Sequence, residues 1–151
     1  MKTLKTSFLL LVLGAALGGC ASNLSNPEKL ALYQAHAGEP VKDFRYFSSI
    51  SWTPLGDEAL AVWTRPNEAW LLDLTGRCID LDYAPAISLS NMFGRVSAKF
   101  DSVQVLGGAN SHFRIPCRID TIRPLDVKAL KAAEKEMREA KLVEREAAKA
   151  S

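Results

Sequence analysis

Very little in this chain of 151 residues points to an active centre. It has three cysteines and two histidines, with no CxxC and no HxxxH, so a metal or thiol redox centre has almost nothing to be built from. GxSxG, HExxH and the phosphate-binding P-loop are all absent, which removes the commonest signatures of hydrolases and nucleotide enzymes. Its longest apolar run near the start, Phe8 to Leu13, is too short to span a bilayer. Beyond residue 19 it also lacks any excess charge: the remaining 132 residues carry 17 basic and 17 acidic side chains. A near-neutral chain without a basic block does not suit nucleic acid or an anionic lipid surface.

What is present begins with the leader. Lys2 and Lys5 precede the apolar run, which ends at Leu17-Gly18-Gly19-Cys20. A secretory signal closes on small residues. Here cysteine follows them directly, and the pattern resembles the lipobox of bacterial lipoproteins. That resemblance implies cleavage before Cys20, a diacylglycerol on its thiol and acylation of the new amine. A single chain holds a membrane only marginally, at about 0.8 kcal/mol per buried CH₂, whereas two or three chains hold it stably. Ala21 and Ser22 follow, without the aspartate that retains enteric lipoproteins at the inner membrane. The expectation is an outer-membrane lipoprotein facing the periplasm, with residues 1–19 as signal and 20–25 as lipidated tether. An ordinary signal peptide with Cys20 as a free thiol is the alternative.

If Cys20 carries lipid, Cys78 and Cys117 remain as an even pair, 39 residues apart. In an oxidising compartment they are expected to form a disulfide. Closing a loop of that length is worth about 4 kcal/mol on the chain-entropy account.

The single domain is placed at residues 26–125, with a helical tail over 126–151. Asn26-Pro27-Glu28 reads as a helix start, running to about Ala37 with Gly38 as its stop. Phe44, Tyr46, Ser48, Ile50 and Trp52 alternate as one strand. Turns at Thr53–Asp57 and Arg65–Glu68 then separate two further strands, Leu60–Thr64 and Trp70–Leu74. This is the pattern of an antiparallel meander. Apolar residues on both faces of these two strands predict burial on both sides. Ile79–Tyr83, Ile87–Leu89, Val96–Phe100 and Val103–Val105 continue the alternation. Phe113, Ile115, Cys117 and Ile119 share a last inward face, with Pro116 marking an edge or a bulge. The expected fold is mainly β: a small antiparallel barrel or sandwich of about seven short strands between residues 43 and 122, flanked by a short and a long helix.

Asp126 can cap the C-terminal helix, and Glu134 and Arg138 form a favourable i,i+4 pair. Its apolar stripe of Leu130, Ala133, Met137 and Ala140 is thin, and Leu142 and Val143 fall off it. Such a helix is solvated, frayed or docked on a protein partner.

The remaining chemistry is sparse. His112 near Asp101 and Ser102 is the one triad that can be drawn. Asp80 and Asp82 would share a strand face as paired carboxylates or a cation site, or simply face solvent. Trp52, Trp63 and Trp70 suit either a binding platform or the core, and His36 reads as a helix-end residue. No catalytic residue, cofactor or metal ligand is assigned.

The segments WTPLGD (52–57), VWTRPN (62–67), LLDLxGxC (71–78), PCRI (116–119) and IRPLD (122–126) resemble a family of small proteobacterial lipoproteins known only as a domain of unknown function. The resemblance covers roughly residues 30–130. It implies an envelope protein whose paired cysteines serve structure, and it carries no known activity. The expectation is a non-enzymatic envelope or interaction module, with a partner held through the C-terminal helix. The alternatives are a lysozyme-inhibitor-like binder using loops Ser90–Arg95 or Gly107–His112, and a small-molecule or lipid carrier with a hollow barrel.

Overall fold

The computed structural model describes residues 24–49, 51–107 and 115–150. Its elements, in chain order, are α1 (Asn26–Ala35), β1 (Asp43–Arg45), β2 (Ser51–Pro54), β3 (Ala59–Arg65), β4 (Glu68–Leu74), β5 (Ala86–Leu89), β6 (Arg95–Ser97), β7 (Ser102–Leu106), β8 (Cys117–Pro124) and α2 (Val127–Ala150). Six strands form an antiparallel sheet in the order β2-β3-β4-β8-β7-β5, and β1 pairs with β6. A bridge from Val41 to Ile122 fixes the approach to β1 against β8. The sheet curls into a half-barrel, so the fold is mainly β, with a short helix and a long C-terminal helix.

The meander β2-β3-β4 follows from its turns. Pro66 and Asn67 occupy the two-residue loop between the paired Arg65 and Glu68. Gly56, at φ 107°, closes the earlier turn in a conformation that other residues adopt only with strain. Alternation then divides the side chains. Leu60, Val62, Leu72 and Leu74 join Phe44, Val96, Val103, Ile119 and Ile122 in the inner core. Ala59, Ala61, Ala69 and Leu71 face the other way, under Leu32 and Tyr33 of α1 and Val127 and Leu130 of α2. The alanines let helices approach the strands closely, and the expected burial on both faces is met.

Where the expected elements differ, the cause is local. The predicted strand Phe44–Trp52 is two strands in different sheets. Period-two alternation carries on across the point where the chain changes partner, because it does not encode which strand lies alongside. The predicted strand Ile79–Tyr83 is a 3-10 turn over Leu81–Tyr83, entered through Asp80 at φ 64°. The Cys78 amide donates to Asp57 O at 2.7 Å, which ends the strand run there. The strand expected to reach Phe100 stops at Ser97, because the buried Asp101 carboxylate accepts the Ser97 amide at 2.7 Å and turns the chain. Among the described residues, eight strands therefore stand where about seven were expected.

β8 is interior, between β4 and β7, and not at an edge. Pro116 is tolerated because it lies just before the first ladder pair, Val103 with Cys117. Ile115 is exposed rather than inward, and Phe113 lies outside the described residues.

α1 begins at Asn26, with Ser25 rather than Asn26 as its cap. Glu28 accepts both the Ser25 amide, at 2.8 Å, and its hydroxyl, at 2.7 Å. The helix ends at Ala35, because Ala37 bridges to Leu125 and the Gly38 amide donates to Pro124 O at 2.8 Å. Pairing with the end of β8 replaces the last helical turn. No helix among the described residues is long and apolar enough to cross a membrane.

Candidate functional site

A concave feature lined by charged and aromatic side chains lies between the helices and the outer face of the sheet. Asp126 caps α2, its carboxylate accepting the Ala129 amide at 3.0 Å. Val127 and Leu130 are buried on the sheet, and Ala133 and Met137 are partly buried beside them. Lys141 then reaches back to Glu28 of α1 at 2.7 Å. The Lys141 ammonium, with the Ser25 hydroxyl and amide, holds the Glu28 carboxyl down to about 2. Tyr33 donates its hydroxyl to Glu134 at 3.1 Å. Burial, with the Glu134 charge beside it, pushes the Tyr33 phenol well above its ordinary value.

Between these clamps runs an open groove of about 530 Å³, lined by Lys29, Tyr33, Trp63, Lys131, Glu134 and Arg138 among others. The Lys131 ammonium sits 5.6 Å from the Trp63 ring centroid and donates to Pro66 O at 3.1 Å. Arg138 pairs with Glu134 at 3.7 Å, as the i,i+4 spacing predicts. Three cations against one carboxylate, beside an indole face, suit an anionic group carried on an apolar body. The sequence reading missed this groove. Its one available signal was the spacing of Lys131, Glu134 and Arg138, which puts them on one face of α2.

A second surface is convex. In the loop Ser90–Gly94, Met92 and Arg95 exchange backbone hydrogen bonds at 3.0 and 3.1 Å. Phe93 stands at the tip at φ 51° and is 97% exposed. The Tyr46 amide donates to Gly94 O at 2.8 Å, which sets exposed Phe47 beside Gly94.

The residues singled out in the sequence are dispersed. Cys78 and Cys117 are bridged, with Cα atoms 5.6 Å apart, and join the end of β4 to the start of β8. Cys20 and His112 lie outside the described residues, as does most of the loop Gly107–His112. Asp101, the acid of the conceivable triad, accepts from Ser90 Oγ at 2.7 Å and from the Ser97 amide. Asp80 and Asp82 do not share a strand face, because that strand is a turn. Asp82 accepts from Asn26 Nδ2 at 2.9 Å. His36 ends α1, its backbone carbonyl accepting the Asp126 amide at 3.0 Å. Among the described residues, no group of three His, Cys, Asp or Glu side chains is placed to hold a metal ion. Trp70 stacks on Phe44 at 4.9 Å, and Trp52 packs on the inner core, which leaves Trp63 as the tryptophan of the groove.

The model of a family of unknown function, DUF6491, matches residues 2–141, and the chain belongs to that family. No curated protein and no solved structure matches it. A family without a known activity is what the sequence motifs implied.

Proposed function

We propose that the protein is an outer-membrane-anchored lipoprotein facing the periplasm, held by acyl chains on Cys20, and that it acts there as a non-enzymatic interaction module. The observation that carries this reading is the Cys78–Cys117 bridge. Disulfides persist in oxidising compartments, so a bridged pair supports export. It also uses two of the three cysteines and leaves Cys20, directly behind the leader, as the odd one. Metabolic labelling with a fatty-acid probe tests the anchor. The parent chain takes label and Cys20→Ala does not; equal labelling of the two overturns the proposal.

The partner is assigned to α2. This helix of 24 residues is about 36 Å long, and its burial ends well before its C-terminus. Leu142 and Val143 are exposed beyond the Glu28 clamp. Crosslinking from positions 142 and 143 in cells is expected to capture one defined envelope protein. Co-purification of that same protein, undiminished after deletion of residues 142–151, would count against this assignment.

The inhibitor reading is favoured by one feature, the Phe93 tip. A bulky residue held at positive φ and almost fully exposed is costly unless something is to receive it. A lysozyme inhibition assay at micromolar protein decides that version. The carrier reading loses support, since the inner face is filled by Leu60, Leu72, Ile119 and Ile122 and by Phe44 stacked on Trp70.

A further inference from the structure

We infer that the turn from Ile79 to Tyr83 rests on the lipid surface, in the same leaflet that takes the acyl chains of Cys20. The inference builds on the anchor proposed above and adds an orientation for the domain.

Three observations carry it. Leu24 is buried among the outer-face residues, so the chain is fixed to the domain from that point on. Three residues separate it from Cys20, so four chain steps span at most about 14 Å even when fully extended. Whatever lies beside the start of α1 is therefore held at the membrane surface. Second, Asn26 Nδ2 donates to Asp82 Oδ2 at 2.9 Å, which sets the turn directly beside that start. Third, the turn presents Ile79, 67% exposed, and Tyr83, 89% exposed. An aliphatic side chain and a tyrosine, apolar in body and polar at the hydroxyl, suit the headgroup boundary of a bilayer.

The ladder between β5 and β7 gives the orientation. Ala86 pairs with Leu106 at the end nearest Tyr83, and Leu89 with Val103 at the other. The Ser90 amide donates to Ser102 O at 2.9 Å, so the loop bearing Phe93, and exposed Phe100, stand at the far end. The three steps from Ala86 to Leu89 separate the two ends by about 10 Å. With the turn on the lipid, the Phe93 tip points away from it. Asp82 in the same turn, hydrogen-bonded to the uncharged Asn26 amide, disfavours anionic headgroups. The contact is thus apolar, on a zwitterionic surface, and salt does not weaken it.

The test uses the full, acylated chain in phosphatidylcholine–phosphatidylethanolamine vesicles. Tyr83→Cys and, separately, Phe100→Cys are labelled with an environment-sensitive fluorophore, and nitroxide-bearing lipids serve as the quencher. The bridged pair and an acylated Cys20 take no thiol reagent, so only the introduced cysteine is labelled. The expected result is a blue shift and quenching at position 83, unchanged in high salt, with position 100 remaining in water. A vesicle-bound chain in which position 83 is as unquenched as position 100 overturns this inference and leaves the anchor standing. A parent chain whose Cys20 reacts with the thiol reagent overturns the anchor, and the inference falls with it.

Discussion

The two faces of the sheet are held by different physics. The inner face is closed by Leu, Ile, Val and Phe side chains from strands far apart in sequence, with the Cys78–Cys117 bridge at its margin. The outer face is shallower. Small residues on β3 and β4 receive two helices, and polar contacts from Glu28, Tyr33, Glu134 and Lys141 hold those helices together. The inner face depends on exclusion of water. The outer face is adjustable, and the basic groove lies on it.

Breaking the inner face should have the largest effects. Leu72→Ala, at a fully buried site, is expected to lower the free energy of unfolding by about 3–5 kcal/mol in urea titrations. Replacing both bridged cysteines with serine should cost about 4 kcal/mol by the loop-entropy estimate. Leu130→Ala on the outer face is equally buried but should cost less, about 2–3 kcal/mol. α2 is tethered at one end and can settle into the space vacated, which strands in a ladder cannot do. A loss at Leu130 as large as that at Leu72 would remove the distinction between the faces.

Asp126→Ala sharpens the comparison, since it touches neither core. It removes the acceptor for the Ala129 amide and should cost about 1 kcal/mol. The loss should fall on α2, seen as faster amide exchange in its first turn with β3 and β4 still protected.

Legibility in the sequence divides along the same line. The meander, the two-faced burial of Leu60–Leu74, the Asp126 cap and the Glu134–Arg138 pair could be read because each depends on neighbours within a turn or two. Ile79, Leu81 and Tyr83 could not, because the i,i+2 spacing of a strand also fits a 3-10 turn when only the middle residue is buried. What separates the two is the Cys78 amide on Asp57, a contact across 21 residues. The groove was hidden for the same reason. Trp63, Lys29 and Lys131 come together only once both helices have settled on β3, and no local pattern joins them.

The smallest effect is the most specific to the outer face. Glu28 has its carboxyl lowered from 4.5 to about 2, chiefly by Lys141 and then by Ser25. A depressed carboxyl binds its proton less readily in the folded chain than in the unfolded one. Its contribution is therefore present above pH 4.5 and is lost as pH falls through about 2. Lys141→Met removes the largest cause and keeps most of the side-chain volume. In thermal melts between pH 5 and pH 2, the parent should lose stability more steeply than the variant, and the two should converge at the acid end. The gap at pH 5 should shrink in high salt, because the pair is partly exposed. Parallel curves across that range would mean that Lys141 does not hold the Glu28 carboxyl down, and that the Tyr33–Glu134 hydrogen bond is the polar contact that joins α1 to α2.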